Sequence, residues 1–134
     1  MPVQLWALAA AGIVVFAAVI LESLRSWRAR RWALLATAAP TGEPYILYFT
    51  GDGCTVCRTH QEPALARLAG VRIDKVDAIA EREIADRFHV YTLPTTVVMS
   101  AQGRALNVNY GYAPAPKLER QLAEARGPLS VATA

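Results

Sequence analysis

The sequence predicts an α/β domain with the element order βαβαββα, carried behind one N-terminal transmembrane helix. Three observations lead there. The run Val3 to Leu21 contains no charged side chain. From residue 45 onward, short apolar runs rich in β-branched and aromatic residues alternate with segments of helical spacing. The two cysteines of this 134-residue chain, Cys54 and Cys57, fall where the first such run meets the first helix.

The N-terminal run VQLWALAAAGIVVFAAVIL forms about 28 Å of helix at 1.5 Å per residue, enough to cross a bilayer. Trp6 and Trp27 flank it as interfacial aromatics do, and Arg25, Arg28, Arg30 and Arg31 follow at once. A cleaved signal peptide fits less well, because no basic region precedes the run and Ala36-Thr37-Ala38 lies far beyond it. A buried core helix also fits poorly. Basic residues beside a span tend to stay cytoplasmic, so the domain is expected to face the cytosol, with the periplasmic or extracytoplasmic side as the alternative. The expected organisation is a transmembrane helix over 1–24, a basic juxtamembrane segment and linker over 25–43, a domain over 44–126 and a tail over 127–134.

Those four arginines set against Glu22 account for the whole net charge of +3; from Pro40 onward ten basic residues face ten acidic ones. The basic balance therefore marks a membrane flank and argues against a nucleic-acid surface. Within the domain, Tyr45-Ile46-Leu47-Tyr48-Phe49 is continuous and apolar, as a strand buried on both faces requires. A helix is expected over Thr55 to Leu68, ending at Gly70, and a strand over Val71 to Val76. Ile84, Ala85 and Phe88 share a helical face within Ile79 to Phe88. Thr95 to Met99 and Ala105 to Tyr110 read as a hairpin around Ser100-Ala101-Gln102-Gly103. Pro114 and Pro116 open a last helix whose face carries Leu118, Leu122 and Ala125, and Gly127-Pro128 is expected to close it.

Cys54-Thr55-Val56-Cys57 at the start of a helix gives the pair a chemical meaning. A thiolate is the nucleophile in disulfide exchange, and the free N–H groups and positive dipole end of a helix N-terminus stabilise it. Cys54 occupies that end; Cys57 lies one turn in, within reach of its sulfur. A structural disulfide closing so short a loop removes little unfolded-state entropy. Cys54, Cys57 and His60 also form C-x-x-C-x-x-H, to which His89 could add a fourth zinc ligand, but the second knuckle usual in zinc sites is missing.

Taken together, the strand YILYF, the loop TGDG, CTVC followed by Arg58, the helix proline Pro63, Leu93-Pro94-Thr95 before a β-branched strand and Gly111 before the last helix resemble the thioredoxin superfamily over roughly residues 45–125. The resemblance implies a thioredoxin-like fold, a cis bond between Leu93 and Pro94, and a substrate peptide lying along Thr92, Leu93 and Pro94 beside Cys54. There are departures. Gly53 stands where thioredoxin has a Trp, Tyr48 where the family has a buried acid, and Ile73 where it has a buried Lys. Glu62 and Asp52 are the remaining candidates for moving a proton when Cys57 attacks. Pro63 lies six residues after Cys57 instead of five, and Thr55-Val56 replaces Gly-Pro.

The implied activity is enzymatic: a membrane-tethered thiol-disulfide oxidoreductase using Cys54 and Cys57, without cofactor or metal, on protein disulfide or dithiol substrates. Reduction is the expected direction, with an upstream reductase or membrane electron carrier resetting the pair. Two other readings use the same residues: a non-catalytic thioredoxin-fold tethering or scaffold module, and a CxxC metal-binding module.

Overall fold

Every residue of the first strand is buried, which places it at the centre of the sheet. The computed structural model describes residues 2–133, with side-chain surroundings through residue 126. Strand β1 (Tyr45–Thr50) lies between β2 (Ile73–Asp77), to which it is parallel, and β3 (Thr95–Met99), to which it is antiparallel. Strand β4 (Ala105–Tyr110) pairs with β3 in a hairpin and gives the order β2-β1-β3-β4.

Alternation along β1 divides the core in two. Tyr45, Leu47 and Phe49 face one side, where they meet Phe88, Val97, Met99 and Ala33. Ile46 and Tyr48 face the other, with Cys57, Leu65, Val98, Leu118 and Leu122. Helix α2 (Glu62–Ala66) and the last helix α4 (Ala115–Thr133) contribute to this second side, and α3 (Arg82–Arg87) to the first.

Several boundaries differ from the sequence expectation. The helix expected over Thr55 to Leu68 is divided into a π-helical turn, Cys57–Gln61, and α2, which ends at Ala66. Strand β2 starts at Ile73, and Val71 instead packs at the edge of the second core. Helix α3 starts at Arg82 because the Asp77 carboxylate accepts the N–H groups of Ile79 (2.9 Å) and Ala80 (3.0 Å), holding that stretch in a turn. Helix α4 runs past Gly127-Pro128 to Thr133. A proline inside a helix gives up one hydrogen bond and crowds the carbonyl four residues back, about 3 kcal/mol, and a glycine costs about 1 kcal/mol of propensity, so the helix continues here against local preference.

The N-terminal helix α1 (Val3–Ala33) is long and apolar enough to cross a membrane, and its most apolar stretch is bare of protein contacts. It does not stop where the apolar run stops. It continues through the arginines, with Arg30 and Arg31 in the last turn, where cations suit the negative end of the dipole. Its last two turns rest on the domain: Ala33 is fully buried, and Ser26 and Ala29 are half-buried on the same face. Arg25 lies 4.7 Å over the Tyr91 ring, Tyr91 stacks on Tyr110 at 4.7 Å, and Arg30 lies 6.0 Å from the Tyr110 ring centre.

The stretch from 34 to 43 is tied down as well. Thr37 bridges to Arg104, the Ala38 N–H donates to the Gly103 carbonyl at 2.8 Å, and Thr41 and Gly42 donate to the Ala101 carbonyl. Gly103 holds φ +87°, and a Cβ there would strike the carbonyl oxygen of Ala38. Only glycine satisfies both conditions.

Candidate redox site

The cysteines sit at the carboxyl end of central strand β1, where Gly51-Asp52-Gly53 turns the chain and the Cys54 N–H donates to the Gly51 carbonyl at 3.1 Å. Cys54 and Cys57 are joined by a disulfide, with Cα atoms 5.3 Å apart. The two sulfurs are not equivalent. Cys54 is half-buried, whereas Cys57 is fully buried in the second core. The Cys57 N–H points at the Cys54 Sγ at 3.1 Å, the direction in which a helix N-terminus favours negative charge on that sulfur once the bond opens. Arg58 reaches back to the Asp52 carbonyl at 2.8 Å and so closes the turn around the pair.

Residues Cys57–Gln61 form a π-helical turn before α2 begins. A π turn accommodates one more residue than an α turn, which accounts for Pro63 lying one position further from Cys57 while still occupying the first turn of α2. Gln61, fully buried, fastens this turn to the loop before α4. Its side chain donates to the Ala113 carbonyl at 3.0 Å and accepts the Ala113 N–H at 2.9 Å. Gln61 carried no signal in the sequence, where a polar residue inside a helix reads as solvated.

Opposite the cysteine turn lies the loop Thr92-Leu93-Pro94, whose Leu93–Pro94 bond is cis. Thr95 Oγ1 donates to the Thr92 carbonyl at 2.7 Å, and Gly111 N–H donates to the Pro94 carbonyl at 2.8 Å. Leu93 packs closely over the cysteine turn: a Cβ on Gly51 would lie 3.0 Å from its Cδ1. Cys54, Thr92 and Leu93 thus border one cleft of about 690 Å³, and Pro94 is buried behind them. Arg25, Ile79, Arg82 and Tyr91 are also among the residues that line it. None of these four stands out in sequence as a site residue; Arg25 reads there as a membrane-flank charge, and its place in the cleft depends on α1 continuing unbroken.

The polar residues around the pair are distributed as follows. Tyr48 OH donates to Glu62 Oε2 at 3.1 Å, and Glu62 pairs with Lys75 at 3.6 Å. Burial pushes the Tyr48 hydroxyl pKa up, and the neighbouring Glu62 carboxylate adds to the effect. Lys75, paired with Tyr48 across β1 and β2, supplies a cation two residues along the strand from Ile73. Asp52 is exposed. His60 bonds Thr59 Oγ1 at 2.7 Å and meets the edge of Tyr112, while His89 lies against Trp32 at 6.2 Å. Among the described residues no three His, Cys, Asp or Glu side chains are grouped to hold a metal ion. Tyr110, stacked on Tyr91, has its pKa pushed up to about 12, first by burial and then by Tyr91, with Arg30 acting against both.

The family described as Thioredoxin-like domain matches residues 33–126. Among solved structures, thioredoxin from Fasciola hepatica is 26% identical, with a TM-score of 0.56 over 64% of this chain and 84% of that one. Thioredoxin-2, a component of malaria parasite protein secretion machinery, is 24% identical with a TM-score of 0.55 over 61% and 82%. Oxidized mitochondrial thioredoxin 3 from Saccharomyces cerevisiae is 22% identical with a TM-score of 0.54 over 71% and 85%. The latter two likenesses concern the fold alone. No curated protein sequence matches the chain.

Proposed function

Because this chain belongs to the thioredoxin-like family, we propose that it is a membrane-tethered thiol-disulfide oxidoreductase acting on protein substrates, with reduction as its direction. The observation that carries this is the asymmetry of the pair: a half-exposed Cys54 receiving an N–H bond on its sulfur, and a fully buried Cys57 one turn behind it. The Cys54 thiolate attacks one sulfur of a client disulfide; that S–S bond breaks, and the departing client thiolate takes up a proton. Cys57 then loses its proton and attacks the Cys54 sulfur. The Cys54–Cys57 bond forms, the mixed disulfide breaks, and the second client thiol leaves, two electrons having passed to the client. An upstream reductase or membrane electron carrier then supplies two further electrons, which with two protons reopen the Cys54–Cys57 disulfide. Thr92, Leu93 and Pro94 hold the client strand. Helix α1 is the single-pass anchor, with the domain on the cytoplasmic side by the arginine rule.

Trapping in native membranes tests the proposal. Cys57→Ser keeps the nucleophile and removes the resolving thiol, so larger, reductant-sensitive adducts accumulate, while Cys54→Ser gives none. Absence of adducts from Cys57→Ser would leave a binding module as the better account. Sidedness is separate: an active C-terminal alkaline-phosphatase fusion would move the domain outside and change its electron source.

A further inference from the structure

Helix α1 brings a cation to the wall of the cleft beside Cys54, and α3 brings a second. Arg25 and Arg82 both border that cleft, both are exposed, and among the described residues neither has a carboxylate within 4.0 Å. Asp86 is the one acidic residue in the lining, which leaves the cleft with an excess of positive charge. Arg25 is not free to swing away at no cost, because its guanidinium is stacked 4.7 Å over Tyr91. The rest of the lining suits an extended peptide: Leu93 and the 72% exposed Ile79 offer apolar surface in the same cleft as the sulfur. Arg25 also follows Leu21, the end of the apolar run, by four residues, about 6 Å along the helix axis.

We propose that this cleft receives an acidic extended segment of a membrane-held client, with Arg25 and Arg82 pairing to carboxylates beside the client cysteine. The proposal rests on the thiol-disulfide exchange proposed above and names its substrate class. Carboxylates suit two guanidiniums that have no carboxylate partner among the described residues, and the height of Arg25 above the apolar run limits the cleft to segments lying close to the bilayer surface.

The test uses the full-length reduced protein in phosphatidylcholine nanodiscs and two peptides, each with one intramolecular disulfide. They are identical except that Glu residues flanking the cysteine in one are Gln in the other. The quantity read is the ratio of their kcat/KM values. The Glu peptide is expected to be favoured about two- to fivefold per carboxylate engaged, the size of an exposed ion pair. The ratio should shrink at high salt and fall toward one in Arg25→Gln and in Arg82→Gln. A lost structural contact would slow both peptides and leave the ratio alone. Equal rates for the two peptides overturn the inference while leaving disulfide exchange standing. Equal rates together with inhibition by phosphatidylglycerol would assign the guanidiniums to lipid phosphate. Failure to reduce either peptide removes the exchange reaction itself, and the inference with it.

Discussion

Tyr48 donates a hydrogen bond of 3.1 Å to Glu62, joining the central strand to α2, the helix that follows the cysteine turn. Tyr48 is 2% exposed and shares a core with Cys57, while Glu62 is half-buried and also holds Lys75. Tyr48→Phe removes the donor but leaves Glu62 its ion pair and access to water. The expected loss is therefore that of one ordinary hydrogen bond, about 1 kcal/mol, measured by denaturant unfolding of the full chain in detergent.

The two thiols of the reduced protein should differ in reactivity. Cys54 borders the cleft and its sulfur faces the Cys57 N–H, whereas Cys57 has no exposed surface. Mass-spectrometric alkylation near pH 7 should modify Cys54 at least about tenfold faster, the factor that one unit of pKa supplies in thiolate fraction. Equal rates would contradict the assignment of Cys54 as the nucleophile.

Gln61→Leu should be more costly than Tyr48→Phe. It strips partners from both the N–H and the carbonyl of Ala113, and those groups lie in a fully buried setting where water cannot replace them. Two unsatisfied backbone groups amount to about 2–6 kcal/mol. Because the pair fastens the π turn to the loop before α4, the reduced variant should also lose hydrogen-exchange protection at Cys57 and Ala113 first.

Acid sensitivity should concentrate at Asp77. Hydrogen bonds from Ala80 and then Ile79 hold its carboxyl below the usual 3.8. A pKa depressed in the folded state means that the stabilisation is fully present above 3.8 and is lost as pH falls through the lower, folded value. Asp77→Ala should therefore lower Tm at pH 7, and the gap between variant and parent should narrow below pH 3.8.

Strand β1 was legible because its neighbours cover both faces, so five apolar residues in a row had one sensible placement. The hairpin strand Ala105–Tyr110 was bounded as closely by its turn. The cysteine pair announced itself through strand, glycines and helix in succession. Other features were hidden for identifiable reasons. The π turn left only an offset of Pro63 by one residue. Gln61 and Ala113 are 52 positions apart, and so their reciprocal bonds leave no local pattern. Arg25 and Tyr91 likewise meet only after folding, so the positive wall of the cleft was invisible while the same arginine was plain as a membrane flank. In sequence Gly103 resembles any hairpin glycine, because the 34–43 stretch presses against it only in the folded chain.

The stacking of Arg25, Tyr91, Tyr110 and Arg30 has a consequence for how the protein meets others. Ten residues of loose chain between anchor and domain would let the redox pair roam with a root-mean-square reach of about 16–19 Å. Here the stretch from 34 to 43 is stapled to the hairpin turn, and the helix itself is clamped to the loop facing Cys54. For a protein anchored through α1, the sulfur then travels at one height and one bearing as the anchor diffuses laterally. Encounter becomes a two-dimensional search, governed by how densely clients populate the same bilayer and by whether they offer their disulfide at that height.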